Sequence, residues 1–167
     1  MALVSDSSWR ERVAALPLES FNAGDTVFAE GTKTGRLLVL KSGAVSISKS
    51  GTEIARVAAP GAVLGELSAL LDLPHTADVH ALEPSQFHVA DAAQLLGDPE
   101  ALLFVASVLA QRVVGANSAL LELKQQIRAG APPSLLDKTA DKIVGMLSAI
   151  GSGYLRAGAG MTGYPFQ

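Results

Sequence analysis

Short β-type runs with glycine turns between them crowd the first half of this chain, and few folds accommodate that pattern. Val27-Phe28-Ala29-Glu30 is followed by Gly31, Leu37-Leu38-Val39-Leu40 by Ser42-Gly43, and Val45-Ser46-Ile47-Ser48 by Ser50-Gly51. Glu53-Ile54-Ala55-Arg56-Val57 alternates apolar and polar residues, and Val79–Leu82 and Gln86–Val89 complete the set. Short strands at close spacing with Gly turns indicate an antiparallel sandwich or barrel. A short helix around Ser7–Leu16, stopped by Pro17, precedes them.

After the strands the chain turns helical. Asp91–Leu96 reads as one helical turn ending at Gly97. Asp98-Pro99-Glu100 is a strong start signal, with Asp at the N-cap, Pro at the first helical position and an acid in the first turn. The helix that follows is expected to run to Arg128 and stop at Gly130. Leu102, Ala106, Leu109, Val113, Ala116, Leu120, Leu123 and Ile127 step by four and three. That seam predicts packing along another helix, with the first half of the helix on the β-domain and the second half on a partner chain. Gly115 is the expected bend, at a cost of roughly 1 kcal/mol against Ala. Beyond Pro132-Pro133, Ser134 and Asp137 form a candidate capping box. Leu136, Ala140, Ile143, Leu147 and Ile150 make a second seam that ends at Gly151. The Gly-rich tail, 152–167, has no periodicity and is expected to be mobile unless Tyr154, Tyr164 and Phe166 dock.

The division expected from these signals is a β-roll with its flanking short helices over 1–98, a long seam helix over 99–129, and a C-terminal helix and tail over 130–167. Apolar residues make up 49%, enough for one core, while aromatics at 5% make that core aliphatic. A formal charge of −3 argues against a general nucleic-acid binder. The absence of cysteine excludes disulfides, zinc-thiolate sites, iron–sulfur clusters and cysteine nucleophiles. No signal peptide is read at the N-terminus. The longest largely apolar run, Ala101–Ala110, is short of the about 20 residues that span a bilayer. These signs predict a soluble cytoplasmic protein with no membrane partner.

The stretch that carries chemistry is Gly65–Val79. A Gly-Glu pair opens a short apolar helical turn, and Pro74, His75 and Thr76 follow before a strand-like exit. Free backbone N–H groups at the helix start, closed from the far side by polar side chains, make an anion cradle.

The ordered set of signals resembles the cyclic-nucleotide-binding domain, found in the sensor halves of Crp/Fnr-type transcription regulators, protein kinase A regulatory subunits and cyclic-nucleotide-gated channels. The marks are Gly24-Asp25, Val27-Phe28, Glu30-Gly31, Leu38-Val39-Leu40, Ser42-Gly43, Val45-Ser46-Ile47, Gly61–Glu66 and the cassette Gly65–Ala77. The resemblance covers about Val13 to Arg128. It implies a mainly β fold, an antiparallel eight-stranded, jelly-roll-like β-roll followed by a long helix and a C-terminal helix. It also implies a cyclic nucleotide ligand, cAMP or cGMP, with no obligatory cofactor. Carried over position by position, Gly65, Glu66, Leu67 and Ser68 form the phosphate cradle, with Glu66 as the ribose partner and Thr76 as a hydroxyl donor. The base-capping role of the long helix falls near Ala116 and Asn117.

One position departs from the family pattern. His75 stands where the family's phosphate-clamping arginine belongs. Arginine presents a planar, always-charged fork, whereas histidine near neutral pH is mostly uncharged. A lost charge-assisted contact is worth roughly 1.5–3 kcal/mol, which predicts weakened nucleotide binding. The plain reading of His75 is a solvated loop residue, and that of Asn117 a surface residue. His75, His80 and His88 show no metal-ligand spacing, and no catalytic arrangement stands out, so neither metal nor enzyme activity is expected. A regulatory sensor domain is the leading reading. The alternative is a ligand-independent interaction module, a homodimer through the long helix with a further, unidentified protein partner. The residues after Gly130 are too few for a helix-turn-helix domain, so direct DNA binding is not expected.

Overall fold

In the computed structural model the described residues are 6–149. The expected docking of Tyr154, Tyr164 and Phe166 and the helix stop at Gly151 lie outside them, as do Ile150 and the side chain of Leu147. The elements in order are α1 (Asp6–Ala14), β1 (Leu18–Phe21), β2 (Thr26–Phe28), β3 (Arg36–Ser42), β4 (Val45–Lys49), β5 (Thr52–Val57), β6 (Val63–Leu64), α2 (Glu66–Leu71), β7 (Asp78–Ala81), β8 (Ser85–Asp91), α3 (Ala92–Leu96), α4 (Pro99–Arg128) and α5 (Pro133–Ala149). The eight strands form two four-stranded antiparallel sheets, in the orders β1-β8-β3-β6 and β2-β7-β4-β5. This is the expected roll. Two strands beyond the six runs read from sequence, β1 and β6, have four and two residues. At that length neither shows a period of its own.

Alternation along the strands builds two cores from one sheet. Leu38, Leu40, Leu64 and Phe87 point into the roll from this sheet, with Phe28, Val45, Ile47 and Val79 from the facing sheet. Leu37, Val39 and Ala90 point outward, beneath Trp9 of α1 and Phe104, Val105 and Val108 of α4. The Trp9 and Phe104 rings stack with centroids 3.9 Å apart. Arg12 of α1 pairs with Asp98 and, at 2.9 Å, with Glu100, fixing α1 to the start of α4.

The helix α4 begins and ends where the capping signals place it. Asp98 accepts from the Glu100 and Ala101 N–H groups at 3.0 and 3.4 Å. Gly130, at φ +69°, closes the far end, with the Ala131 N–H reaching the Gln126 carbonyl at 2.9 Å. The helix passes unbroken through Gly115. Its buried face is not the expected seam. It runs Ala101, Phe104, Val105, Val108, Arg112, Ala116 and Ala119, offset by one position from the four-three pattern. Of the seam residues only Ala116 is buried. Val113, Leu120 and Ile127 remain exposed at 56%, 51% and 59%. The helix carries two apolar stripes, and periodicity cannot say which one meets the roll.

The second half of α4, expected on a partner chain, packs on α5 of its own chain, and α5 also meets β5. Thr139 of α5 is buried and donates to Gln126 at 2.8 Å. That helix starts at Pro133, with the Pro132 carbonyl accepting from Leu135 and Leu136 at 2.9 and 3.3 Å. Ser134 therefore lies inside the first turn and is not its cap. By length and apolar composition α4 is also long enough to cross a membrane, a correction to the short run read from sequence. Its buried stripe on the roll, which includes the charged Arg112, accounts for part of that apolar character.

Candidate functional site

Where β6 leaves the sheet, the chain turns sharply into α2. Gly65 sits at φ +85°, a conformation open to glycine at little cost. The first backbone bond of α2 runs from the Ala69 N–H to the Gly65 carbonyl at 3.0 Å, leaving the N–H groups of Glu66, Leu67 and Ser68 ahead of the helical ladder. Ser68 turns its hydroxyl to the Leu73 carbonyl at 2.5 Å, closing the cassette on itself. Its cradle contribution is thus a backbone one.

Beside this turn a cavity of about 210 Å³ opens into the roll. Gly65, Glu66, Leu67, Ser68, His75 and Thr76 all line it, so the structure gathers six of the seven sequence-predicted site residues around one cavity. Asn117 is the exception. It is exposed on α4 and is not among the cavity-lining residues, whereas its neighbour Ala116 is buried. Much of the remaining lining is apolar, with Ile47, Ile54 and Val79 from the strands and Phe28 beside the cassette.

The residue that sequence reasoning missed is Arg112. It crosses from α4 to the cassette, where Nη1 donates to Glu66 Oε1 and Nη2 to the Val63 carbonyl at 3.0 Å. Both side chains of the pair are 5% exposed, and both line the cavity. A buried carboxylate is costly unless paired, and Arg112 supplies the pair. Glu66 lines the cavity, and a carboxylate there can accept from a ligand hydroxyl. The available signal was one charged residue in the middle of an apolar helical stripe.

His75 is not a solvated loop histidine. It is 5% exposed, its ring stacked on Phe28 with centroids 4.0 Å apart. Its Nε2 shares a 2.8 Å hydrogen bond with the Thr34 hydroxyl. Its backbone N–H donates to Thr32 at 2.7 Å and its carbonyl accepts from Gly31 at 2.9 Å. Burial lowers its pKa from 6.5, so the neutral ring is the folded form at neutral pH. Asp78 points away from the cavity contacts, accepting from the Glu30 N–H at 2.7 Å.

The lowered pKa sets a pH dependence. The folded state prefers neutral His75, so its contribution is present above the unfolded value near 6.5 and is lost as pH falls below it. Thermal melts at about pH 8 and about pH 5.5 should show an acid-side loss of stability that shrinks in His75→Gln. An equal loss in both proteins would place its origin at other groups.

Among the described residues no three His, Cys, Asp or Glu side chains gather as metal ligands would. His80 Nδ1 instead meets the Thr26 hydroxyl at 3.2 Å, and His88 lies on β8 with Nδ1 buried.

Comparison with known proteins agrees with this geometry. Residues 18–97 match the family model of the cyclic nucleotide-binding domain. A cGMP-dependent protein kinase of Eimeria tenella is 38% identical over 71 residues, 42% of this chain and 7% of the kinase. A cAMP-dependent protein kinase regulatory subunit of Debaryomyces hansenii is 33% identical over 78 residues, 46% of this chain and 17% of that protein. The match therefore spans a small part of the length of these curated relatives. The crystal structure of the N-terminal domain of a transcriptional regulator from Streptomyces coelicolor A3(2) aligns with a TM-score of 0.56 at 27% identity. That alignment covers 71% of this chain and 88% of the other. Residues 18–97 are a cyclic-nucleotide-binding domain in sequence and in fold.

Proposed function

We propose that this cyclic-nucleotide-binding domain is a regulatory sensor whose ligand is cAMP or cGMP, bound in the cavity beside the cassette. The observation that carries the reading is the convergence of Gly65, Glu66, Leu67, Ser68 and Thr76 on one cavity, much of whose remaining lining is apolar. A polar edge facing an apolar slot suits a sugar-phosphate joined to a flat base. In this reading the backbone of Gly65–Ser68 faces the phosphate, Thr76 donates to it, and Glu66 accepts from the ribose hydroxyl. His75, neutral and stacked, shapes the wall without supplying charge. Arg112 ties ligand-facing Glu66 to α4, so occupancy is felt by the long helix. Calorimetric titration at neutral pH with cAMP and with cGMP tests this. Saturable heat with either nucleotide is expected, weaker than an arginine-clamped cassette would give, and no heat with both overturns the reading.

A second reading is favoured by one observation, the exposed stripe Val113, Leu120 and Ile127 on α4. There the roll is a scaffold and α4 joins two copies of the chain without ligand. Sedimentation decides it, since a monomer at micromolar concentration excludes this module.

A further inference from the structure

The cavity's own charges cancel at its cassette wall, where Glu66 and Arg112 are paired and His75 is held in an apolar stack. One further charged residue lines the cavity, Lys49 at the end of β4. Strand geometry aims it inward. Side chains at i and i+2 share a face, and Ile47, two residues before, is buried in the core of the roll. On the neighbouring strand Ile47 pairs with Val79 and Ser48 with Asp78. Continuing that register sets Lys49 opposite Ala77, one residue from Thr76 and two from His75, and both Lys49 and Ala77 line the cavity. Among the described residues Lys49 enters none of the ion pairs on this surface, where Arg56 takes Glu53 and the Ser50 N–H takes Glu30.

Building on the nucleotide reading above, we propose that Lys49 supplies the positive charge for the ligand's phosphate across the β4–β7 ladder, in place of the cation missing at position 75. The ammonium is a point charge on a flexible stem and can follow an anion from the strand side of the cavity. It lacks the fork of a guanidinium and is partly open to solvent, so its contribution is modest and screened by salt.

The test is calorimetric titration of cAMP and cGMP into the full chain and its Lys49→Gln and Lys49→Arg variants, at low and at raised salt. Lys49 is exposed, so both variants should melt with the unaltered chain. Lys49→Gln is expected to weaken binding about five- to tenfold, Lys49→Arg to stay within about twofold, and the salt dependence to flatten in Lys49→Gln. Unchanged affinity in Lys49→Gln overturns the proposal while leaving the nucleotide reading intact. Equal losses in both variants assign the effect to shape rather than charge and also overturn it. No binding by the unaltered chain overturns the nucleotide reading, and this proposal with it.

Discussion

Replacing Arg112 with methionine should destabilise the fold by about 3–5 kcal/mol, because it strands a buried carboxylate. The carboxylate is Glu66, 4% exposed, on the first turn of α2. The same substitution frees the Val63 carbonyl, whose bond to Nη2 is 3.0 Å. Adding Glu66→Gln to Arg112→Met should return a large part of the loss, since a neutral amide needs no counter-charge and methionine keeps the stem's packing. Denaturant unfolding of the unaltered chain, the two single variants and the double variant measures this as a double-mutant cycle. A cost under about 1 kcal/mol for Arg112→Met is the range of an exposed pair, and would mean that the contact between α4 and the cassette is not buried in solution.

The second large effect is expected at Gly65. An added Cβ would stand 2.8 Å from the Arg36 carbonyl and 3.1 Å from two atoms of the Phe28 ring, at a backbone angle of φ +85°. The left-handed backbone costs roughly 1–2 kcal/mol for a residue with a Cβ, and the forced shift about 1–3 kcal/mol more. Gly65→Ala should therefore lose about 2–5 kcal/mol, or about 4–20 °C in melting temperature. Gly24 is the control. It has φ +89°, but nothing stands within 4 Å of its Cβ position, so Gly24→Ala should show the backbone cost alone. Equal melting temperatures for the two variants would contradict the close approach. Because Phe28 stacks on His75, the displacement at Gly65 also passes into the cavity wall.

These two sites show what the sequence made legible. Backbone punctuation was readable because it is local: Asp98-Pro99 and Gly130 bound α4, and Gly65 marks the cassette turn. The cassette side chains were readable because they lie within twelve residues of one another, Gly65 to Thr76. Arg112 was not, because its role depends on a partner 46 residues away and on which stripe of α4 faces the roll. The four-three seam drew attention to Val113 and Leu120, while burial fell on the stripe beside it. His75 was misjudged for a related reason. A position between Pro74 and Thr76 reads as a loop, and only the tertiary fold brings Phe28 and Thr34 over the ring. Asn117 shows the opposite limit. It neighbours the buried Ala116 in sequence, but one residue along a helix turns a side chain by about 100° and so onto a different face.

The central claim is that the cavity at the cassette holds the nucleotide. Amide hydrogen exchange with and without saturating cAMP or cGMP tests it most directly, followed at Glu66, Leu67, Ser68 and Thr76. Slowed exchange at these amides, extending to the α4 residues around Arg112, is the predicted result. Unchanged exchange at the cassette under conditions where nucleotide is bound would place the ligand elsewhere on the chain and contradict the account.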